Sequence, residues 1–159
     1  MKYVGDSLEA LVNEGVRQAT DDLMRDIAST ARSVMFDVAV ASTPIGKSAA
    51  LRASWLAGPI EQREGRTETS VRNDHWAAML VNYGADPHVI RPRTGRAVET
   101  PYGPRADVHH PGFHGRHMAQ KAIDTTAQVI DPITTPARER WARESEFAIE
   151  RFKARHRIV

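Results

Sequence analysis

"DDLMRDIASTARSVMFDVAVASTP", Asp21 to Pro44, places Leu23, Ile27, Ala31, Val34 and Val38 at steps of three and four. Val12, Val16 and Ala19 continue the same spacing upstream. Such a pattern paints one apolar stripe along a helix. Asp6, followed three residues later by Glu9, has the form of a capping box at its start. Pro44 stops it, because proline has no N–H for the ladder and restricts Thr43 before it. The spacing therefore predicts a helix over 5–41, weakened near its start by Gly15. A rod of that length exceeds what a small core needs, so its free end is expected to lie against something outside its own domain.

The rest of the chain alternates between types. Leu51 to Leu56 reads as a strand with Leu51, Ala53 and Trp55 on one face. Thr67, Thr69 and Val71 share a face of a second strand, with "GPIEQREG" as an exposed connection. "DHWAAMLVNYG" reads as a short helix capped by Asp74 and ended by Gly84. Trp76, Met79, Leu80 and Tyr83 share a side of it, with Trp76 and Tyr83 as core anchors. "HVIRP" and "RAVETPYG" follow as a hairpin or a long excursion from a sheet. Pro92 and Pro101 bar both from being central strands, and the extended arm is expected over 88–108. A helix is expected from Phe113 to Ile130, with Met118, Ala122 and Thr125 or Thr126 facing inward. "DPITTP" then breaks the chain, and Thr135 with Pro136 starts a final helix over 136–157, whose inner face carries Trp141, Ala148 and Phe152. The order predicts one α+β domain over 1–159. In it, a long N-terminal helix and a small antiparallel or mixed sheet with a protruding hairpin arm are covered by C-terminal helices.

Bulk properties narrow the functions. The chain has 159 residues, no cysteine and a net charge of +2, so thiolate metal sites and disulfides are excluded. No apolar run approaches the roughly 20 residues of a membrane span. Charge is uneven: residues 1–50 carry −2, 51–137 carry +1 and 138–159 carry +3. That is short of a dedicated nucleic-acid footprint. Arg91, Arg93, Arg96 and Arg105 on the arm, and Arg151, Lys153 and Arg155 near the end, are the candidates to face a neighbouring subunit or DNA.

"HHPGFHG", His109 to Gly115, holds three imidazoles and His117 lies just beyond. A zinc site needs three or four ligands converging at about 2 Å. His114 and His117 lack the i,i+4 spacing of an HExxH helix, and no glutamate stands in the window to act as base. Ser54, Asp74 and His75 supply the letters of a triad without a spacing that implies convergence. The histidines are therefore expected to be ordinary surface or hydrogen-bonding side chains, or side chains placed at a subunit contact. Pro111-Gly112 turns the chain after His110, as Thr43-Pro44 and Gly84 mark the other breaks. No catalytic or metal-binding residues are expected from the spacing.

Three islands resemble a known family. "TPIGKSAALRASW", Thr43 to Trp55, is similar to a TP-(V/I)-x-T-G-x-L-R-x-S motif, with Gly46-Lys47-Ser48 where that motif has a Thr-Gly turn. "HWAAMLVNYGAD" resembles Y-A-x-x-V-E-x-G-T, with Asn82 at the acidic position and Ala85 at the threonine. "HPG", His110 to Gly112, precedes an aromatic-led segment in both. These motifs, in this order across residues 5–130, resemble the tail-completion and head–tail joining (neck) proteins of long-tailed bacteriophages, of the lambdoid tail-component type. The resemblance implies a structural virion protein of the neck or tail, made in the host cytoplasm, with no cofactor and no cofactor-binding residues. On it, His110, Pro111 and Gly112 form a turn that launches the next helix, with Pro111 fixing the chain and Gly112 permitting the bend. It implies a homo-oligomeric ring of six or twelve subunits between the connector of the DNA-filled head and the tail tube, with non-specific contact to channel DNA and no membrane. The rival expectations are a basic DNA-contacting adaptor and a small histidine-dependent metalloenzyme.

Overall fold

The computed structural model describes residues 3–46, 49–63 and 65–156. Helix α1 runs Tyr3–Ser42, matching the apolar stripe and ending just before Pro44. Its deepest positions are Ala28 and Ala39, with Met35 between them on the same face, one residue off the expected line of Ile27 and Val38. Val12 belongs to the expected stripe, and Asp6 and Glu9 to the expected capping box, but their side chains lie outside the described residues. Small side chains at the deepest points let a second helix approach closely, and burial, not hydrophobicity alone, picks the alanines.

That second helix is α4, Met118–His156. Met118 and Ala122 in its first turns share a cluster with Ala39 and Trp55, against which Met35, Phe36, Val38, Val40, Val71 and Val81 pack. The end of α1 therefore meets the start of α4, and the extensive contact between them makes the pair antiparallel. Thr126 and Thr134 continue the buried line along α4. Thr126 agrees with the expected inward face; Ala148, expected inside, is exposed. The side chain of Phe152 lies outside the described residues.

The expected break at "DPITTP", and with it a separate helix over 136–157, is overturned: α4 passes through Pro132 and Pro136 without interruption. The likewise expected helical start at Phe113 is overturned, since α4 begins only at Met118. The physical reason for the continuity lies in the spacing of the prolines. Four residues apart, both sit on one exposed face, as does Gln128, whose carbonyl Pro132 leaves without its usual donor. A carbonyl on an exposed face is open to solvent in place of the missing N–H. On the opposite side Thr134 is buried and its hydroxyl donates to the Ile130 carbonyl at 2.7 Å. Thr135 donates likewise to Asp131 at 2.7 Å, and Arg138 reaches the Asp131 carboxylate at 2.6 Å, so this turn is held by side chains as well as by the backbone.

Between the two long helices the described residues make four two-stranded antiparallel sheets. The expected strand over Leu51–Leu56 is replaced by one helical turn, α2 (Ala50–Ala53), and strand β1 (Trp55–Ala57). Thr67 to Arg72 also divides, into β3 (Arg66–Glu68) and β4 (Val71–Asn73). The reason is nesting. β1 pairs with β4, and β2 (Glu61–Arg63), in the stretch read as a plain connection, pairs with β3. Gly58 donates to the Ser70 carbonyl at 2.7 Å where the ladder bends. α1 holds this long hairpin through Arg32, which donates to the Gly58 carbonyl at 2.9 Å, and through Gln62, which bonds both Arg25 and the Asp21 carbonyl.

Candidate interaction surface

Helix α3 (Ala78–Tyr83) starts later than expected, and Asp74 does not cap it. Asn73 accepts from the His75 N–H at 2.9 Å, and His75 Nδ1 accepts from Ala77 at 3.1 Å, so this pair turns the chain into the helix. Trp76 and Tyr83, expected as core anchors, are 81% and 66% exposed, with Met79 at 68%. The correction has a geometric cause. α3 offers Val81 and Asn82 to the interior, because Asn82 must reach α4, and this turns the aromatic side outward.

Asn82 is buried, and its Oδ1 accepts from the Ala119 N–H at 3.0 Å, while its carbonyl accepts from His117 at 2.9 Å. An N-terminal N–H of α4 thus finds its acceptor on another element. His117, with φ 51, turns the chain into that helix. Nothing in local spacing marks Asn82 for this part; the acidic residue at its place in the resembling motif is the available hint, since an acid also suits a helix N-terminus.

Around it two segments cross at backbone contact. β5 (Gly84–Ala85) pairs with β8 (Phe113–His114). A methyl group on Gly84 would strike the Phe113 carbonyl, one on Gly112 the Ala85 carbonyl, and one on Gly115 the Asn82 carbonyl. Gly84 and Gly112 also sit at φ 87 and 77, the left-handed region where a side chain is strained. His110 Nδ1 accepts from the Gly112 N–H at 3.0 Å, and its ring stacks on His88 at 5.0 Å. "HHPGFHG" is therefore built as a crossing and a turn, with His110, Pro111, Gly112 and Gly84 at one place. Thr43 and Pro44 belong to a separate junction. There the buried Thr43 accepts from Trp55 Nε1 at 2.7 Å and donates to Ala39 at 2.7 Å, while Arg52 grips the Thr43 carbonyl at 2.8 Å.

An open cleft of about 580 Å³ lies beside the crossing, lined by Tyr83, Asp86, Pro111, His114 and His117 among others. Among the described residues no three histidine, aspartate or glutamate side chains come together to hold a metal ion. Ser54, Asp74 and His75 are each engaged locally: Ser54 donates to Ala50, Asp74 pairs with Arg72 at 3.1 Å, and His75 takes the Ala77 N–H.

The arm leaves the body at β6 (His88–Ile90) and returns at β7 (Val108–His110), which pair with each other. "HVIRP" does not pair with "RAVETPYG"; the segment is the long excursion. Within it Val98 bridges to Arg105, and Thr100 closes a turn onto Gly103 that leaves Tyr102 89% exposed. Arg91, Arg93, Arg96 and Arg105 are all exposed, and among the described residues none has an ion-pair partner. Arg151 lies 5.4 Å over the Phe147 ring on α4. Lys153 and Arg155 stand in its last turns, but their side chains lie outside the described residues.

Comparison of the chain with protein-family models, with curated proteins and with solved structures gives no match.

Proposed function

We propose that this chain is a structural protein of a phage neck or tail-completion assembly, forming a ring that joins the head connector to the tail tube. The observation that carries the reading is the outward ridge of Trp76, Met79 and Tyr83, standing 66–81% exposed. Exposed aromatic and methionine side chains are the residue types that anchor protein interfaces. The resemblance of the three motifs to the joining proteins supports the same reading. Function then consists of contact. The α1–α4 rod, the ridge and the arm are surfaces offered to neighbours, and heterologous contacts that close on themselves make a ring.

The test is genetic and structural. Removing the chain from the phage that encodes it leaves full heads and finished tails unjoined, and particle averaging of intact virions places it on the tail axis. Normal joining without it sinks the reading, as does turnover of a substrate through its histidines. The uncompensated arginines of the arm favour a second reading, a DNA-contacting adaptor. That reading requires binding to duplex DNA that falls steeply with added salt.

A further inference from the structure

The arm's arginines have a complement on the same chain. Asp22, Asp26 and Asp37 on α1 are all exposed, and at 100° per residue they fall within about 60° of one another around the helix. Ser33 lies between them on that line, so the face is a stripe of three carboxylates about 22 Å long at 1.5 Å per residue. Among the described residues none of the three is in an ion pair. Glu14, nearer the start of the same helix, differs: the hydrogen bond from Arg17 and its charge hold that carboxyl below the usual range. The stripe points away from α4, whose partner face carries Ala28, Met35 and Ala39.

We infer that the arm of one copy, through Arg91, Arg93 and Arg96, docks along the Asp22–Asp26–Asp37 stripe of a second copy. The inference rests on the interlocking role proposed above and names the partner of the arm. Charge complementarity selects the occupant. Four arginines and two acids, Glu99 and Asp107, stand between residues 88 and 110, a net +2 that is small for a phosphate-tracking surface. A stripe of three matching carboxylates on the same molecule fits that charge better. The contact joins two different surfaces, so one copy's arm leaves its own stripe open for the next, and the interaction propagates from copy to copy. Opposed charge also sets the register, since sliding the arm along the helix leaves arginines facing uncharged positions of that line such as Ala19 and Ser33.

The experiment uses the full chain and measures mass across concentration by sedimentation. Four proteins are compared: the wild type, the arm reversal R91E/R93E/R96E, the stripe reversal D22R/D26R/D37R, and the chain carrying both. All six positions are exposed, and matching thermal melts verify that the fold is kept. The expected result is salt-sensitive self-association of the wild type, weakened on the order of tenfold or more by either reversal, and restored when both are combined or when the two single reversals are mixed. A combined chain no better than either parent overturns the inference, as does a wild type that stays monomeric at millimolar concentration. So does an arm reversal that abolishes binding to a duplex DNA fragment while the stripe reversal leaves self-association unchanged, which assigns the arm to DNA. None of these outcomes depends on phage particles, so failure here leaves the joining function standing, and normal head–tail joining without the chain leaves this contact standing.

Discussion

The indole N–H of Trp55 donates to the hydroxyl of Thr43 at 2.7 Å, and both side chains are buried. That hydroxyl in turn donates to the Ala39 carbonyl at 2.7 Å, so one oxygen ties the last turn of α1 to the first strand. Thr43→Val keeps the shape and strands the Trp55 N–H without a partner. The expected loss is about 1–3 kcal/mol in chemical denaturation. Thr43→Ser is expected to stay within about 1 kcal/mol of the wild type. Equal behaviour of the two variants would show that packing alone holds this junction.

Asn82 supplies the acceptor for the start of α4. Asn82→Leu leaves the Ala119 N–H unmet inside the protein and is expected to cost about 1–2 kcal/mol. Asn82→Asp keeps the acceptor and adds a negative charge at the helix N-terminus, where it is favourable. Denaturation at neutral pH should place the aspartate variant near the wild type and the leucine variant well below it. An aspartate variant as weak as leucine would mean that the amide nitrogen, not the oxygen, matters.

At the crossing, Gly112→Ala meets both the left-handed backbone and the Ala85 carbonyl, whereas Gly95→Ala, at φ 70, meets the backbone strain with open space around it. The Gly95 variant is expected to lose about 1 kcal/mol and the Gly112 variant more than about 2 kcal/mol. Thermal melts of the two decide between strain and collision as the main cost.

Pro136→Ala removes a residue that offers no N–H to the helix it stands in. Its exposed position means nothing packs worse for the change, so a stabilisation of about 1 kcal/mol or more is expected in thermal unfolding. A destabilised variant would show that the proline shapes α4 for its packing on α1.

What could be read in advance followed the strength of the local signal. The stripe from Val16 to Val38 and the stop at Pro44 define α1 almost to the residue, because many positions vote for one period. Gly84 and Gly112 were legible as breaks, since glycine at such places relieves a backbone constraint. The nested hairpin was not, because Glu61 to Arg63 is exposed throughout and leaves no alternation to detect. The continuity of α4 was hidden as well: a proline lowers helix propensity wherever it stands, and only the fold reveals that Pro132 and Pro136 both face water. Trp76 and Tyr83 misled for a related reason. Large aromatics are usually inside, and a sequence does not disclose that Asn82, through its bond to a distant helix, claims the inner face of α3.

The buried positions on the two long helices are Ala28, Ala39, Met118, Ala122, Thr126 and Thr134, and among the described residues none lies farther from the α1–α4 junction than Ala28 and Thr134. Protection against amide exchange should therefore grade along the rod, with global unfolding needed at the junction and separate, easier openings toward the distal turns. A molecule anchored in this manner works as a cantilever, so that a load applied along the described part of the rod is borne where Ala39, Met118 and Ala122 interlock.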